Sequence, residues 1–365
     1  MRHTKHTPML LFIIALFSCN AANAVEPQYA SEGIAIPAAT ADEPLIDQFS
    51  TQKALEYLEQ GTTAWQAKRK CVACHTNGTY IQLRPALTPI LGKPNAANHE
   101  FLVNEITKFK RAPTTSLLQG IKPTQIAYMA QGMAEWDLHV NGKLTVETTA
   151  ALDLMLSVQS ADGSWGNIDC WPPFESSSYQ GATVAALALG TAPGFLEAMN
   201  ADQQAQVAKL KKYLKTQPAP HDYGKVLLLW ANTRMDGLID KAIQQEIVTM
   251  ILGHQNEDGG WAMRNFATAD TWGGGSRSEK LKAEKEVTNP PSDGHQTGLA
   301  IMVLRDAGIP ADHPQIQKGI AWIKANQRTS GRWWTRSLNK DTRHFITYSG
   351  TFYPIMALHK CGELK

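Results

Sequence analysis

The sequence predicts an all-α chain closed into a single (α/α)6 toroid, a ring of six helix pairs. Three observations predict it. A turn motif recurs at fixed spacing in Gln159-Ser-Ala-Asp-Gly-Ser-Trp165, Gln255-Asn-Glu-Asp-Gly-Gly-Trp261 and Gln327-Arg-Thr-Ser-Gly-Arg-Trp333. Two-faced helical segments alternate with short apolar ones rich in small residues, such as Gly181-Ala-Thr-Val-Ala-Ala-Leu-Ala-Leu-Gly190. Almost no strand pattern is present.

In each copy of the motif Gly follows Gln by four residues and Trp follows it by six. Each copy closes an amphipathic helix, after Met155-Leu156, Ile251-Leu252 and Trp322-Ile323. The Gly permits a sharp exit. The Gln amide suits the open backbone groups of a helix end, and the Trp can cover the joint. A weaker copy, Gln217-Pro-Ala-Pro-His-Asp-Tyr223, keeps Gln and an aromatic but loses the Gly. This recurrence marks a repeat architecture. The copies resemble the QW motifs of squalene-hopene cyclases and of their relatives, the protein prenyltransferase β subunits. The resemblance spans residues 145–362 clearly and 49–144 weakly. It implies helix pairs around an apolar cavity, and it specifies fold better than chemistry.

Taken in order, residues 1–24 read as a secretory signal. Arg2 and Lys5 open it, Met9–Ser18 is an apolar run too short to span a bilayer, and Ala22-Asn23-Ala24 is a small-x-small cleavage site. The expectation is a periplasmic or secreted protein cleaved after Ala24. Lipidation at Cys19 competes, but Phe17 fits a lipobox badly. Residues 25–48, rich in Ala, Pro and Glu, read as a flexible lead-in. The toroid occupies 49–365. Outer helices are expected near 49–70, 98–112, 143–159, 202–217, 237–255 and 313–327. Inner helices, apolar on most faces, are expected near 79–92, 122–138, 178–190, 222–234, 294–307 and 344–360. Two connections are long, 166–177 and 262–293. The second reads equally well as a lid over a site or as a solvated flap.

Removing residues 1–24 takes away Arg2 and Lys5 and no acid, which leaves the 33 acidic side chains matched by as many basic ones. That balance argues against nucleic acid or another polyanion as a partner. No transmembrane segment is expected in the mature chain.

The strongest chemical signal is Cys71-Val-Ala-Cys74-His75. This C-x-x-C-H spacing is that of covalent c-type haem attachment. Two thiols at i and i+3 can reach the two vinyl groups of one porphyrin, and the next residue can ligate iron. Such attachment happens outside the cytoplasm, in agreement with the signal. A disulfide between Cys71 and Cys74 and a chance motif remain open. So does zinc, which would need further ligands nearby. The motif stands where a repeat turn is expected, so the haem would sit at the turn end of the ring.

The active sites of the related families are absent. No D-x-D-D acid occurs, so cyclase chemistry is unsupported. Asp169 and Cys170 are adjacent, so the D-x-C zinc pair of the prenyltransferases fails. Cys361-Gly-Glu-Leu364 is similar to, but departs from, the Cys-Gly-Glu-Gln of thioester toroids. Cys170 and Cys361 fall at opposite ends of the ring and are expected to stay unpaired.

Ring closure makes the sixth pair a neighbour of the first. That places His344 beside the haem as second ligand or distal base, ahead of His295, with Tyr348 one turn further in. Arg84 is a candidate partner for a haem propionate. Trp171, Phe174, Tyr179, Trp230, Phe345, Tyr348, Phe352 and Tyr353 are expected to line the cavity or its mouth. The sequence therefore reads as an exported haem c protein, an oxidoreductase on an apolar ligand, of which an isoprenoid is one kind. The competing reading is a carrier that passes electrons to a redox partner protein without catalysis. His75 and His344 are the candidate iron ligands.

Overall fold

The computed structural model describes residues 26–166, 172–174, 177–272, 275–283, 290–338 and 342–364, with no side-chain account of 275–278. The chain is an all-α toroid in which outer and inner helices alternate along the sequence. We label them α1 (Thr51–Arg69), α2 (Thr79–Leu83), α3 (Ala96–Lys110), α4 (Lys122–Trp136), α5 (Val146–Ser157) and α6 (Ser178–Thr191). There follow α7 (Ala201–Thr216), α8 (Asp222–Asn232), α9 (Lys241–Gly253), α10 (Gly294–Asp306), α11 (Pro314–Ala325) and α12 (Ser349–Lys360). Even-numbered helices are the inner ones. They touch in the order α2, α4, α6, α8, α10, α12 and back to α2, which closes the ring.

The inner helices are buried almost all round because their sequences are nearly free of charge. In α10 every residue from Gly294 to Leu304 is buried. No Cβ would fit at Gly298, where it would lie 2.3 Å from the Pro354 backbone, and this lets α10 and α12 lie close together. The ring centre is filled by side chains: Tyr128, Tyr223, His295 and Tyr353 are all buried there. The first inner helix is shorter than the expected 79–92, because Pro85 opens a 3-10 turn over Arg84–Leu87.

Each Gln-to-Trp motif joins its turn to the next outer helix. Gln159 Nε2 donates to the Gly163 carbonyl and to Gln206 on α7, both at 3.1 Å. Gln255 repeats this with Gly259 and Gln315, the latter in α11. Gln327 repeats it with Gly331 and Ser50, the residue that caps α1. The Ser50 N–H also donates to Gln327 Oε1 at 2.7 Å. The third motif therefore docks the end of the ring on its beginning. Gly331 has φ +87°, and a Cβ there would meet the Lys53 backbone at 2.4 Å, so this position accepts only Gly. The three Trp rings are fully buried, and each indole donates to a carbonyl ten residues back: Met155, Ile251 and Ile323. The weaker copy does not act as a joint. Tyr223 lies inside α8 and its hydroxyl meets His295.

The lead-in differs from expectation. Residues 26–48 are not a free segment but a strap over the ring seam. Tyr29–Ser31 and Ile34–Ile36 pair as a small antiparallel hairpin. Gln28, Tyr29, Ile36 and Ala39 are buried. Arg332 donates to the Pro37 carbonyl and forms an ion pair with Glu43 at 2.9 Å. Composition suggested disorder because only a few apolar residues are present. Those few dock on a surface made by the two ends of the ring.

The expected long connection starts as a packed cover. Phe266 and Trp272 are buried, and the Phe266 carbonyl accepts from Tyr223 N at the start of α8. A further helix spans Gly275–Ala283. Residues 273–274 and 284–289 lie outside the described set, as do the signal segment with Cys19 and residues Asp169, Cys170, Trp171, Glu175 and Asp341. No helix of the described residues is long and apolar enough to cross a membrane.

Candidate functional site

The Cys71–His75 loop joins α1 to α2, at the same kind of position as the Gln-to-Trp turns. The exit from α1 runs through Lys70, which adopts the left-handed conformation at φ 51°. Side chains that belong to no motif then fix the loop. Asn77 accepts from Ala73 N at 2.8 Å and donates to the Cys71 carbonyl at 3.0 Å. The Trp65 indole donates to the same carbonyl, and Gln125 of α4 donates to the Val72 carbonyl at 2.8 Å. Gly78 is required by space, since a Cβ would stand 2.8 Å from the Ala73 carbonyl oxygen.

Beside this loop is a cavity of about 440 Å³. Cys74, His75 and Arg69 come to it from the first repeat; Arg343, His344, Phe345 and Ile346 come from the last. Phe174 and Pro172 close it from the 166–177 connection, and Glu26 from the strap. Neither thiol of the motif is in a disulfide. Cys74 is buried at the cavity wall, whereas Cys71 is half-buried outside the lining. Burial pushes the Cys71 thiol up from its ordinary range, partly offset by a hydrogen bond with Trp65 and by the Arg69 charge.

His75 is held on three sides. Its ring lies flat against Phe345, with centroids 5.2 Å apart, and edge-on to Trp65 at 4.9 Å. Its Nδ1 is 2.8 Å from Thr76 Oγ1. Burial, with the Arg69 charge adding to it, pushes its pKa down to about 4. The imidazole is therefore neutral at neutral pH, the form that can bind a metal.

His344 enters from the loop before α12 in the left-handed region, at φ 43°, an uncommon backbone state for a residue with a Cβ. Its Nδ1 accepts from the Ser337 N–H at 3.1 Å. A backbone N–H can only donate, so the imidazole proton sits on Nε2. The His344 ring packs edge-on against Trp334 at 4.5 Å. Arg343 pairs with Glu26 and lies over Phe345. Arg69 lies over Trp65, 5.6 Å from the ring centroid.

Of the residues singled out in the sequence, Cys74, His75 and His344 meet at one cavity, and Cys71 stands at the start of the same loop. Arg84 does not reach it. Arg84 is buried, paired with Glu59 at 3.0 Å and donating to the Gly92 carbonyl at 3.1 Å. Tyr348 is also elsewhere: its buried hydroxyl donates to the Leu58 carbonyl at 2.7 Å, so it ties α12 to α1. His295 sits in the ring centre between Tyr223 and Ser349. Phe174 and Phe345 line the cavity as expected. Trp230, Phe352 and Tyr353 pack the core, and Tyr179 faces a groove beside α7 and α9. Cys361 is a free, half-buried thiol. The sequence reading missed Arg69, Arg343 and the strap residues Gln28 and Tyr29. Arg69 precedes the motif by two residues and was the most accessible of these signals.

Among the described residues, no group of three or more His, Cys, Asp and Glu side chains is placed to hold a metal ion. Glu26 is the one carboxylate among the described lining residues, and it is engaged by Arg343. A pair of carboxylates facing each other across a sugar-sized gap, as glycoside hydrolysis uses, is not present in that described set.

A family model for the squalene-hopene cyclase C-terminal domain matches residues 219–362. Among solved structures, a wild-type glycosidase superposes with TM-score 0.56 at 12% identity, covering 86% of this chain and 97% of its own. A glycosidase variant in complex with glucose gives TM-score 0.52 at 12% identity, covering 80% of this chain and 87% of its own. No curated protein matches the chain. At such identities the structural likeness concerns the fold: the chain forms a squalene-cyclase-like α/α toroid.

Proposed function

We propose that this squalene-cyclase-like toroid is an exported c-type haem protein that works as an oxidoreductase. One observation carries the reading. The second thiol and the histidine of a C-x-x-C-H loop line a cavity whose remaining wall brings His344, Arg343 and Phe345 from the other end of the ring. Cys71 and Cys74 would hold the porphyrin through thioether bonds, and neutral His75 would ligate its iron. The bound haem supplies one-electron redox chemistry. Cys71 has to turn its thiol toward the cavity during attachment, since it stands outside the lining.

The chain's own residues have distinct tasks in this reading. Phe174, Phe345 and Ile346 exclude water. Arg69 and Arg343 offer cations to the porphyrin carboxylates, the part first assigned to Arg84. His344, with its proton on Nε2, acts as a hydrogen-bond donor rather than an iron ligand. That favours a catalytic role over that of an electron carrier. The ring centre is packed, so an apolar ligand approaches from the mouth. Secretion of the cleaved chain into the periplasm supplies the compartment that haem attachment needs.

The test is a denaturing gel of exported protein stained for haem. Wild type made with a competent maturation system should stain. The double variant Cys71→Ala, Cys74→Ala should not, because only thioether bonds survive denaturation. A colourless wild type overturns the proposal.

A further inference from the structure

We propose that the groove between α7 and α9 binds a long-chain carboxylate, with its head at the turn end and its chain laid along the outer wall of the ring. The groove exists because one joint is missing. In the three complete motifs the Gly stands flush against the next outer helix. A Cβ would meet the backbone of Lys209 at 2.4 Å for Gly163, of Lys318 at 2.9 Å for Gly259 and of Lys53 at 2.4 Å for Gly331. The Gln of each motif then bonds that helix or its cap. In the weaker copy the Gly position holds His221, in extended backbone at φ −166°. Its side chain turns back to cap α8, accepting from Gly224 N at 2.9 Å. Gln217 makes no side-chain hydrogen bond among the described residues. The wall between α7 and α9 is therefore open, as a groove of about 800 Å³. Small-molecule sites commonly measure about 300–1,000 Å³.

The floor of the groove is apolar. Leu214, Leu228, Leu238 and Ile247 are buried along it, and Ile243 stands at its lip, 41% exposed. Polar groups gather at one end. Helix α7 runs toward the turn face and α8 runs away from it. Lys215 and Gln217, at the end of α7, therefore lie with Lys225, in the first turn of α8. Lys215 has no ion-pair partner among the described residues, and Lys225 pairs with Asp222 at 2.8 Å. Tyr179, at the start of α6, lines the groove, with its ring 6.1 Å from that of Tyr213 on α7. It is only 3% exposed, and its hydroxyl has no hydrogen-bond partner. Burial, with Tyr213 adding to it, pushes its pKa up, so the hydroxyl keeps its proton. A buried hydroxyl without a partner is costly, and an acceptor oxygen on a ligand relieves that cost.

This pattern selects the ligand. An unpaired ammonium, a second lysine and a hydroxyl with a proton to give call for an anionic oxygen head. The acids of the groove are both on the α9 side. Asp240 is at the far end, where its carboxylate caps α9 by accepting from Ile243 N at 2.9 Å, and Glu246 is exposed at the lip. The 11 residues of α8 span about 16 Å at 1.5 Å per residue, so a chain laid beside them is a long one. The groove shares no described lining residue with the Cys71–His75 cavity, and the inference does not depend on haem.

The experiment is calorimetric titration of the full mature chain with dodecanoate, dodecanol and dodecylamine, each kept below its micelle concentration. Dodecanoate should fill one site and bind severalfold more tightly than either of the others. Lys215→Glu should weaken dodecanoate severalfold and strengthen dodecylamine. Tyr179→Phe, which removes only the hydroxyl, should also weaken dodecanoate. Ile243→Glu sets a charge beside the chain and should abolish binding. Lys215 and Ile243 are exposed, so both variants should keep the wild-type melting temperature, and a loss of binding is then not a loss of fold. Absence of dodecanoate binding overturns the proposal, as does equal binding of the three probes or binding unchanged in Ile243→Glu. A dimer in sedimentation that Ile243→Glu splits assigns the groove to a second copy of the chain and also overturns it. Haem staining is read separately: an unstained wild type that still binds dodecanoate removes the haem alone.

Discussion

His75 and Phe345 stack ring on ring, 5.2 Å between centroids and 15° between planes, so the first and last repeats meet directly at the cavity wall. Phe345 follows His344, which places that histidine on the same wall with its proton on Nε2. Two histidines from opposite ends of the sequence thus share a cavity.

His344→Ala is expected to leave the spin state of the matured protein unchanged while altering carbon monoxide dissociation from the reduced form severalfold. A donor that contacts a bound gas affects its release, whereas an axial ligand sets the spin state. Visible spectra and flash photolysis measure the two. A low-spin to high-spin conversion in the variant makes His344 a ligand after all.

Trp261→Ala is expected to destabilise the fold by about 3–5 kcal/mol, the range for truncating a large buried aromatic. The indole is fully buried and its N–H donates to the Ile251 carbonyl at 2.7 Å, so the variant leaves both a hole and an orphaned acceptor. Urea unfolding measures it. A loss below about 1 kcal/mol means the motif does not hold the turn.

Acid should weaken the fold well before most carboxylates titrate. Burial lowers the pKa of His75 and His221 to about 4 and that of His295 to about 3. In the unfolded chain these histidines take up protons near pH 6.5. Stability is therefore full above that value and falls as pH drops from about 6.5 toward 4, at up to ~1.4 kcal/mol per pH unit for each fully buried site. Asp293 acts in the opposite sense: burial raises it to about 6, so it adds stability as pH falls through that value. Melting temperature against pH should decline over this window, and His295→Gln should flatten the decline. A profile level from pH 7 to 4.5 contradicts the assignment.

The fold was legible because its signals are local and repeated. Gln159, Gln255 and Gln327 report the joints, and the charge-free stretch from Gly181 to Gly190 reports an inner helix. The loop at Cys71 was legible for the same reason, being five contiguous residues. What could not be read depends on who meets whom. Arg84 lies near the motif in sequence, yet Glu59 holds it away from the cavity. Tyr29 sits in a segment without periodicity, and its hydrogen bond with Thr76 and ring contact with Tyr57 appear only once the hairpin is docked. Tyr348 follows His344 by one turn, but Leu58 claims its hydroxyl.

The Ser50–Gln327 joint has a consequence for the order in which the molecule assembles. Its partners are 277 residues apart, whereas the joints made by Gln159 and Gln255 span 47 and 60. Open solenoids grow by adding units to a free end and need polar end caps. A ring has neither, so each terminal unit exposes an apolar side until the last arrives. The cavity wall, shared between the first turn and the last, comes into being only at that closing event. Before it, the Cys71–His75 loop borders an unfinished edge; afterwards Cys74 is buried.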